Sequence, residues 1–303
     1  MVEAFLSSLN RVILGKEHSV KMLVAALFAD GHVLIEDVPG TGKTTLAKAL
    51  AVVMDANFSR IQFTPDLLPA DVTGGAVYRP GTGEFEVRQG PVFTQLLLAD
   101  EINRASPRTQ SALLEAMEER QVSLEGISHA LPKPFMVLAT QNPVEFHGVF
   151  PLPEAQMDRF LVRISLGYPS SETELDILRA HRLSRPLDLL KPVTTPDKVI
   201  EIQQRVREIH VEESLERYIV SLVQATRAHH AFRLPASPRA GYSLMRVSQA
   251  LAFMAGRDFV SPDDIQEALV PVLAHRIFLK EANLAGGTER ILLEIQKSLP
   301  VPK

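Results

Sequence analysis

Between residues 32 and about 166, short apolar runs alternate with stretches of helical spacing. The runs fall at 32–36, 58–63, 96–100, 135–140 and 160–166, and the helical patterns at about 44–54, 106–120 and 152–158. Alternation of this kind predicts an α/β core, a mainly parallel sheet with helices on both faces. Ser106-Pro107 suits a helix start, with serine as the cap and proline at the first helical position. Two β-hairpins should interrupt the alternation. One pairs 76–80 with 84–88 around Gly81-Thr82-Gly83, and the other spans 121–130 around Glu125-Gly126. They are either edge decoration or projections that touch a partner, and the pattern does not decide between the two. After Tyr168-Pro169-Ser170-Ser171 only helical spacing remains, at 172–183, 196–209, 213–229, 243–256 and 262–275. The separators are Ser184-Arg185-Pro186, Thr194-Thr195-Pro196, Ala236-Ser237-Pro238 and Ser261-Pro262-Asp263-Asp264. This predicts a first domain over 1–168 and an all-helical second domain over 169–303.

The first apolar run ends in Asp37-Val38-Pro39-Gly40-Thr41-Gly42-Lys43-Thr44-Thr45 and passes into a helical pattern. Strand, glycine-rich loop and helix together place backbone N–H groups and a helix N-terminus around a polyphosphate. Gly40 and Gly42 allow close approach, Lys43 is suited to the β- and γ-phosphates, and the Thr44 hydroxyl is suited to Mg²⁺. Asp37 stands where such loops carry their first glycine. The strand at 96–100 ends in Asp100-Glu101. Nucleotide hydrolysis needs one carboxylate for Mg²⁺ and its waters, the role that suits Asp100, and one to orient and deprotonate the attacking water, the role that suits Glu101. The next strand ends at Asn142-Pro143, which reads equally as a turn or as an amide beside the γ-phosphate. Arg159 and Arg239 are each either a surface ion pair or a guanidinium delivered to the γ-phosphate. Arg239 is expected just before a helix of the second domain.

With 46% apolar and 22% charged residues the composition is that of an ordinary globular protein. No apolar run approaches the roughly 20 residues of a bilayer span, and no leader pattern opens the chain, which fits a cytoplasmic protein. Cysteine is absent, so disulfides and zinc–thiolate sites are excluded. A net charge of −4 without a basic run disfavours nucleic acid as a partner. His229-His230 should point in different directions on a solvated helix face, and no histidine spacing suggests a metal site.

Several longer stretches carry a family resemblance. They are 35–44, 62–74 (Gln62 to Gly74), 100–105, 109–119, 139–143 and 152–160, with Ser237-Pro238-Arg239 extending them into the second domain. The chain resembles the MoxR family of AAA+ ATPases, in the clade with an insert in the second helix of the core. Asp37 is shared with that family. The resemblance implies a P-loop core followed by a helical lid, ATP and Mg²⁺ as cofactors, and ATP hydrolysis. It gives Lys43 and Thr44 to the Walker A site, Asp100 and Glu101 to Walker B, and Asn142 to sensor 1. Arg159 becomes an arginine finger acting on a neighbouring subunit, and Arg239 a sensor 2 acting within its own chain. Gly15, in the segment 12–16, borders the adenine, and the hairpin at 75–90 is the helix-2 insert. A trans finger implies a ring, most simply a hexamer. The family's chaperone-like role implies a protein client and a partner bearing a von Willebrand factor A domain. The alternatives are a metal-chelatase-like ATPase subunit, a nucleic-acid motor, or a slow nucleotide switch. The mixed or acidic hairpin tips disfavour the motor, and the Asp100-Glu101 pair disfavours the switch.

Overall fold

This computed structural model describes residues 1–81, 83–142, 150–183, 185–281 and 287–302, so Thr82, Pro143 and Ser184 of the expected turns lie outside it. In chain order it contains α1 (Val2–Asn10), α2 (Glu17–Phe28), β1 (Val33–Glu36), α3 (Lys43–Met54), β2 (Phe58–Gln62), α4 (Pro69–Thr73), β3 (Gly74–Arg79), β4 (Glu84–Gln89), β5 (Leu96–Asp100), α5 (Pro107–Glu119), β6 (Gln121–Leu124), β7 (Ile127–Ala130), β8 (Met136–Gln141), α6 (Glu154–Met157) and β9 (Val162–Ile164). Then follow α7 (Ser171–Leu183), α8 (Pro196–Arg207), α9 (Glu213–Ala228), β10 (Phe232–Leu234), α10 (Pro238–Met254), α11 (Pro262–Leu273), β11 (Phe278–Leu279) and α12 (Gly287–Ser298).

Five parallel strands form the central sheet in the order β2-β5-β8-β1-β9. Their side chains alternate between two apolar clusters, as the two-residue period of a strand demands. Val33, Ile35, Leu96, Leu98, Met136 and Leu138 join the cluster that includes α2 and α3. Leu34, Leu97, Ala99, Val137 and Ala139 join the other, with Leu113 and Leu114 of α5. Helices thus cover both faces, as the sequence predicts.

The sequence reading did not find α1 and α2. In α2 every residue from Met22 to Phe28 is buried, so the segment has no polar stripe to reveal its period. It is apolar all round because it contacts both β9 and the lid helices α8 and α10. The lid is helical apart from the β10–β11 ribbon. α10 starts five residues earlier than its apolar spacing suggests, because Ser237 caps it and Pro238 opens it. Helix α9 stops at Ala228, so His229 and His230 leave the helical path, and their rings stack with centroids 4.9 Å apart rather than pointing apart.

Two buried histidines hold the start of the sheet. His32 Nδ1 accepts the Val137 N–H at 3.0 Å, which leaves Nε2–H to donate to the Met117 carbonyl at 3.1 Å. His275 Nε2 donates to the Phe160 carbonyl at 2.9 Å. Burial, with help from neighbouring arginines, pushes both imidazoles well below the usual range. The unfolded chain therefore binds more protons than the folded one below about pH 6.5, and stability falls with pH there by up to about 1.4 kcal/mol per unit for each histidine. Urea unfolding between pH 7.5 and 5.5 should show this decline. A flat profile would mean that the two histidines take up protons without unfolding.

Candidate active site

The loop from β1 to α3 has the geometry of a phosphate cradle. Gly40 and Gly42 have φ of +84° and +91°, where a side chain is strained, and a Cβ at either would meet no atom within 4 Å. Gly42 is the N-cap of α3 and supplies no side-chain cap, so the first-turn N–H groups of Lys43, Thr44 and Thr45 are left for an anion. Lys43 Nζ donates to the Asp37 and Val38 carbonyls, each at 2.8 Å, across the loop that also holds Pro39 and Thr41. Burial lowers its pKa, while Asp37, Asp100 and Glu101 pull the other way.

Asp37 has a structural reason to replace glycine. Its Oδ2 accepts the N–H groups of Leu166 and Gly167 at 2.7 and 2.6 Å, and Oδ1 accepts the Val38 N–H at 2.9 Å. The carboxylate thus ties the phosphate loop to the exit of β9, where the chain leaves for the lid. Asp37→Gly should lower stability by about 2–4 kcal/mol, since buried N–H groups would lose charged acceptors. A urea-unfolding shift below about 0.5 kcal/mol would count against this role.

The acid pair lies at the same edge of the sheet. Asp100 Oδ1 accepts the Thr140 hydroxyl at 2.6 Å, and its Oδ2 accepts Arg60 Nη2 at 2.6 Å. Glu101 adopts the left-handed backbone region with φ +57°, and its N–H donates to Thr140 Oγ1 at 2.8 Å. Its Oε2 accepts Gln62 Nε2 at 2.6 Å and Arg104 Nη1 at 2.9 Å. Asn142 is buried at the end of β8, between the strands that lead to Lys43 and to Asp100. Gly15 packs against Thr173 and Lys16 Nζ donates to the Tyr168 carbonyl, which sets the expected adenine border beside the lid linker. An open helix N-terminus, a lysine beside it and an acid at the facing strand end suit the phosphates of ATP and its Mg²⁺, with Thr44 and Asp100 for the metal.

Arg159 and Arg239 lie elsewhere. Both pair with one side chain, Glu118 at the end of α5, at 2.7 and 3.1 Å. They line a cavity with residues 29–32, which precede β1, whereas the phosphate loop follows β1. The two arginines therefore occupy the amino edge of the parallel sheet, and the phosphate loop and acid pair the carboxyl edge. In this structure Arg239 thus stands away from its own chain's phosphate loop. Because α10 begins at Pro238, Arg239 is in its first turn, and that turn is packed beside the start of β1. The segment around Arg159 is fastened to the lid by buried Arg276, which donates to Asp158 Oδ1 at 2.7 Å and to the Phe160 carbonyl at 2.6 Å. Burial brings the Arg276 pKa down to about 10 despite Asp158.

The sequence pattern gives no role to Arg60, Arg104, Thr140 or Glu118, and Gln62 stands out there only within a motif. A signal existed for two of them. Arg60 and Gln62 are two apart on a strand, so they share one face of the sheet, and the register sets Gln62 opposite Asp100.

Comparison with known proteins agrees with this fold. Residues 32–162 match the family described as ATPase family associated with various cellular activities (AAA), and 224–295 match the AAA lid domain. The uncharacterized protein YeaC of Bacillus subtilis is 50% identical over 97% of this chain and 92% of its own length. Chaperone MoxR1 of Mycobacterium tuberculosis is 40% identical over 100% of this chain and 82% of its own. A solved structure of a proposed ATPase from Cytophaga hutchinsonii superposes with a TM-score of 0.91 at 40% identity, covering 100% of this chain and 95% of that one. Fold and site thus define an AAA-type nucleotide-binding ATPase with its lid. Within that class, the chain belongs to the MoxR family of AAA+ ATPases.

Proposed function

We propose that this protein hydrolyses ATP as an oligomeric ring and uses the cycle to remodel or mature protein complexes. The observation that carries the reading is the division of its charged groups between opposite edges of one parallel sheet. Thr44, Asp100, Glu101 and Asn142 stand around the phosphate loop, while Arg159 and Arg239 sit at the far ends of the strands. A ring in which the amino edge of one subunit meets the carboxyl edge of the next completes each site with both arginines in trans. Thr44 and Asp100 would hold Mg²⁺, which would supply charge neutralisation to the phosphates. Lys43 holds those phosphates, and Glu101 accepts a proton from water oriented with Asn142. Arg159 and Arg239 stabilise charge on the transferring group. Glu118 keeps the two guanidinium groups together.

A protein client is favoured over nucleic acid by the hairpins. Val77 and Tyr78 on β3 and Ile127 on β7 are half or more exposed, which suits apolar docking and not phosphate tracking. A relative of known name is a chaperone, and the family resemblance implies a von Willebrand factor A partner. The test is mass photometry of Glu101→Gln protein with ATP. A ring of about six subunits is expected, and a monomer at every nucleotide and protein concentration would overturn the reading.

A further inference from the structure

The cavity at the amino edge of the sheet has a volume of about 250 Å³, and its wall holds six arginines against three acids, Asp30, Glu118 and Asp158. Two acids are already engaged: Glu118 holds Arg159 and Arg239, and Asp158 holds Arg276. Arg120, Arg207 and Arg246 are left with one carboxylate. Asp30 Oδ1 accepts Arg120 Nη2 at 3.3 Å, and Oδ2 accepts Arg207 Nη2 at 3.1 Å.

Asp30 itself is placed with care. It has φ +60° and follows the last turn of α2, where its N–H donates to the Leu27 carbonyl and that of Gly31 to the Ala26 carbonyl. Such a turn usually takes glycine, so an aspartate there has a use for its side chain. Arg246 is only 6% exposed. One of its Nη groups donates to Gln249 Oε1 at 2.6 Å, while Nη2 meets no acceptor among the described residues. Burial is the main cause that lowers its pKa, and Arg207 adds repulsion.

Three guanidinium groups share one carboxylate; Arg207 reaches solvent, so the cost falls on buried Arg246, whose charged N–H has no acceptor among the described residues. A planar donor fork is satisfied best by an oxyanion with several oxygens, and more than one negative charge is needed to balance the group. We propose that the cavity is a second anion site, separate from the phosphate loop, that binds a free pyrophosphate-like oxyanion between Arg207 and Arg246.

The test is calorimetric titration of the full chain with inorganic pyrophosphate, without divalent metal. In a Lys43→Ala background, which disables the phosphate loop, the dissociation constant should stay within about twofold of that of the unaltered cavity. Adding Arg207→Gln or Arg246→Gln should raise it by about tenfold or more. Arg207 is largely exposed, so its variant reports on binding even if replacing buried Arg246 harms folding. Loss of pyrophosphate binding with Lys43→Ala alone would place the anion on the phosphate loop and overturn the proposal. Unchanged binding in folded Arg207→Gln protein would overturn it too. So would a dependence on Arg207 that appears only with ATP and intact Lys43, since these arginines would then serve a neighbour's nucleotide.

Discussion

Equimolar Glu101→Gln and Arg159→Ala subunits, each inactive alone, should regain about a quarter of the wild-type ATPase rate when mixed and allowed to exchange. In random assembly, one interface in four joins an intact Glu101 to an intact Arg159. The expected loss in the separate proteins is large. Removing a guanidinium that stabilises a transferring phosphoryl group costs about 10³-fold or more. The structure gives the recovery its basis, because Arg159 is bound to Glu118 beside residues 29–32 while Glu101 lies beyond the opposite end of the same sheet. Absence of recovery, with exchange verified by labelled subunits, would mean that Arg159 acts within its own chain or not at all.

Glu101→Gln should slow turnover by about 10³-fold while leaving the affinity for ATP near that of the wild type. Gln62, Arg104 and Thr140 fix this carboxylate and its backbone without any share in the phosphate loop. The substitution therefore removes a proton acceptor and spares the cradle. Lys43→Ala should do the reverse and weaken binding, because Nζ is a charged donor aimed across the loop. Equilibrium binding of a fluorescent ATP analogue, followed by single-turnover hydrolysis, separates the two. Near-normal turnover in Glu101→Gln would remove Glu101 from the role of base.

Much of the core was legible because its signals are local. The strands that lead to Lys43, Asp100 and Asn142 are short apolar runs with polar ends, and the loop between β1 and α3 needs glycine at two positive-φ positions. Two kinds of feature were not. Helix α2 is buried all round from Met22 to Phe28, so that stretch shows no amphipathic period. The partners of the site residues come from positions distant in sequence: Arg60 reaches Asp100 from another strand, and Glu118 gathers Arg159 and Arg239 from separate segments. Which end of the sheet Arg239 would reach depended on where α10 starts, and the Ser237-Pro238 cap that sets this was visible but was read as a separator. Asp37 shows the reverse case, an apparent departure from a motif that becomes intelligible once Leu166 and Gly167 are seen to point their N–H groups at it.

Arg276 comes from the lid, yet it grips the residues on either side of Arg159. Lid and finger are consequently parts of one lever. If the protein works as the proposed ring, any lid movement that nucleotide drives would carry along the guanidinium offered to the next subunit. Such a ring would have a sense of rotation, with each site acting on the one it serves and acted on by the one behind it. In that ring the anchoring of a single buried arginine would couple one subunit's lid to the next subunit's chemistry.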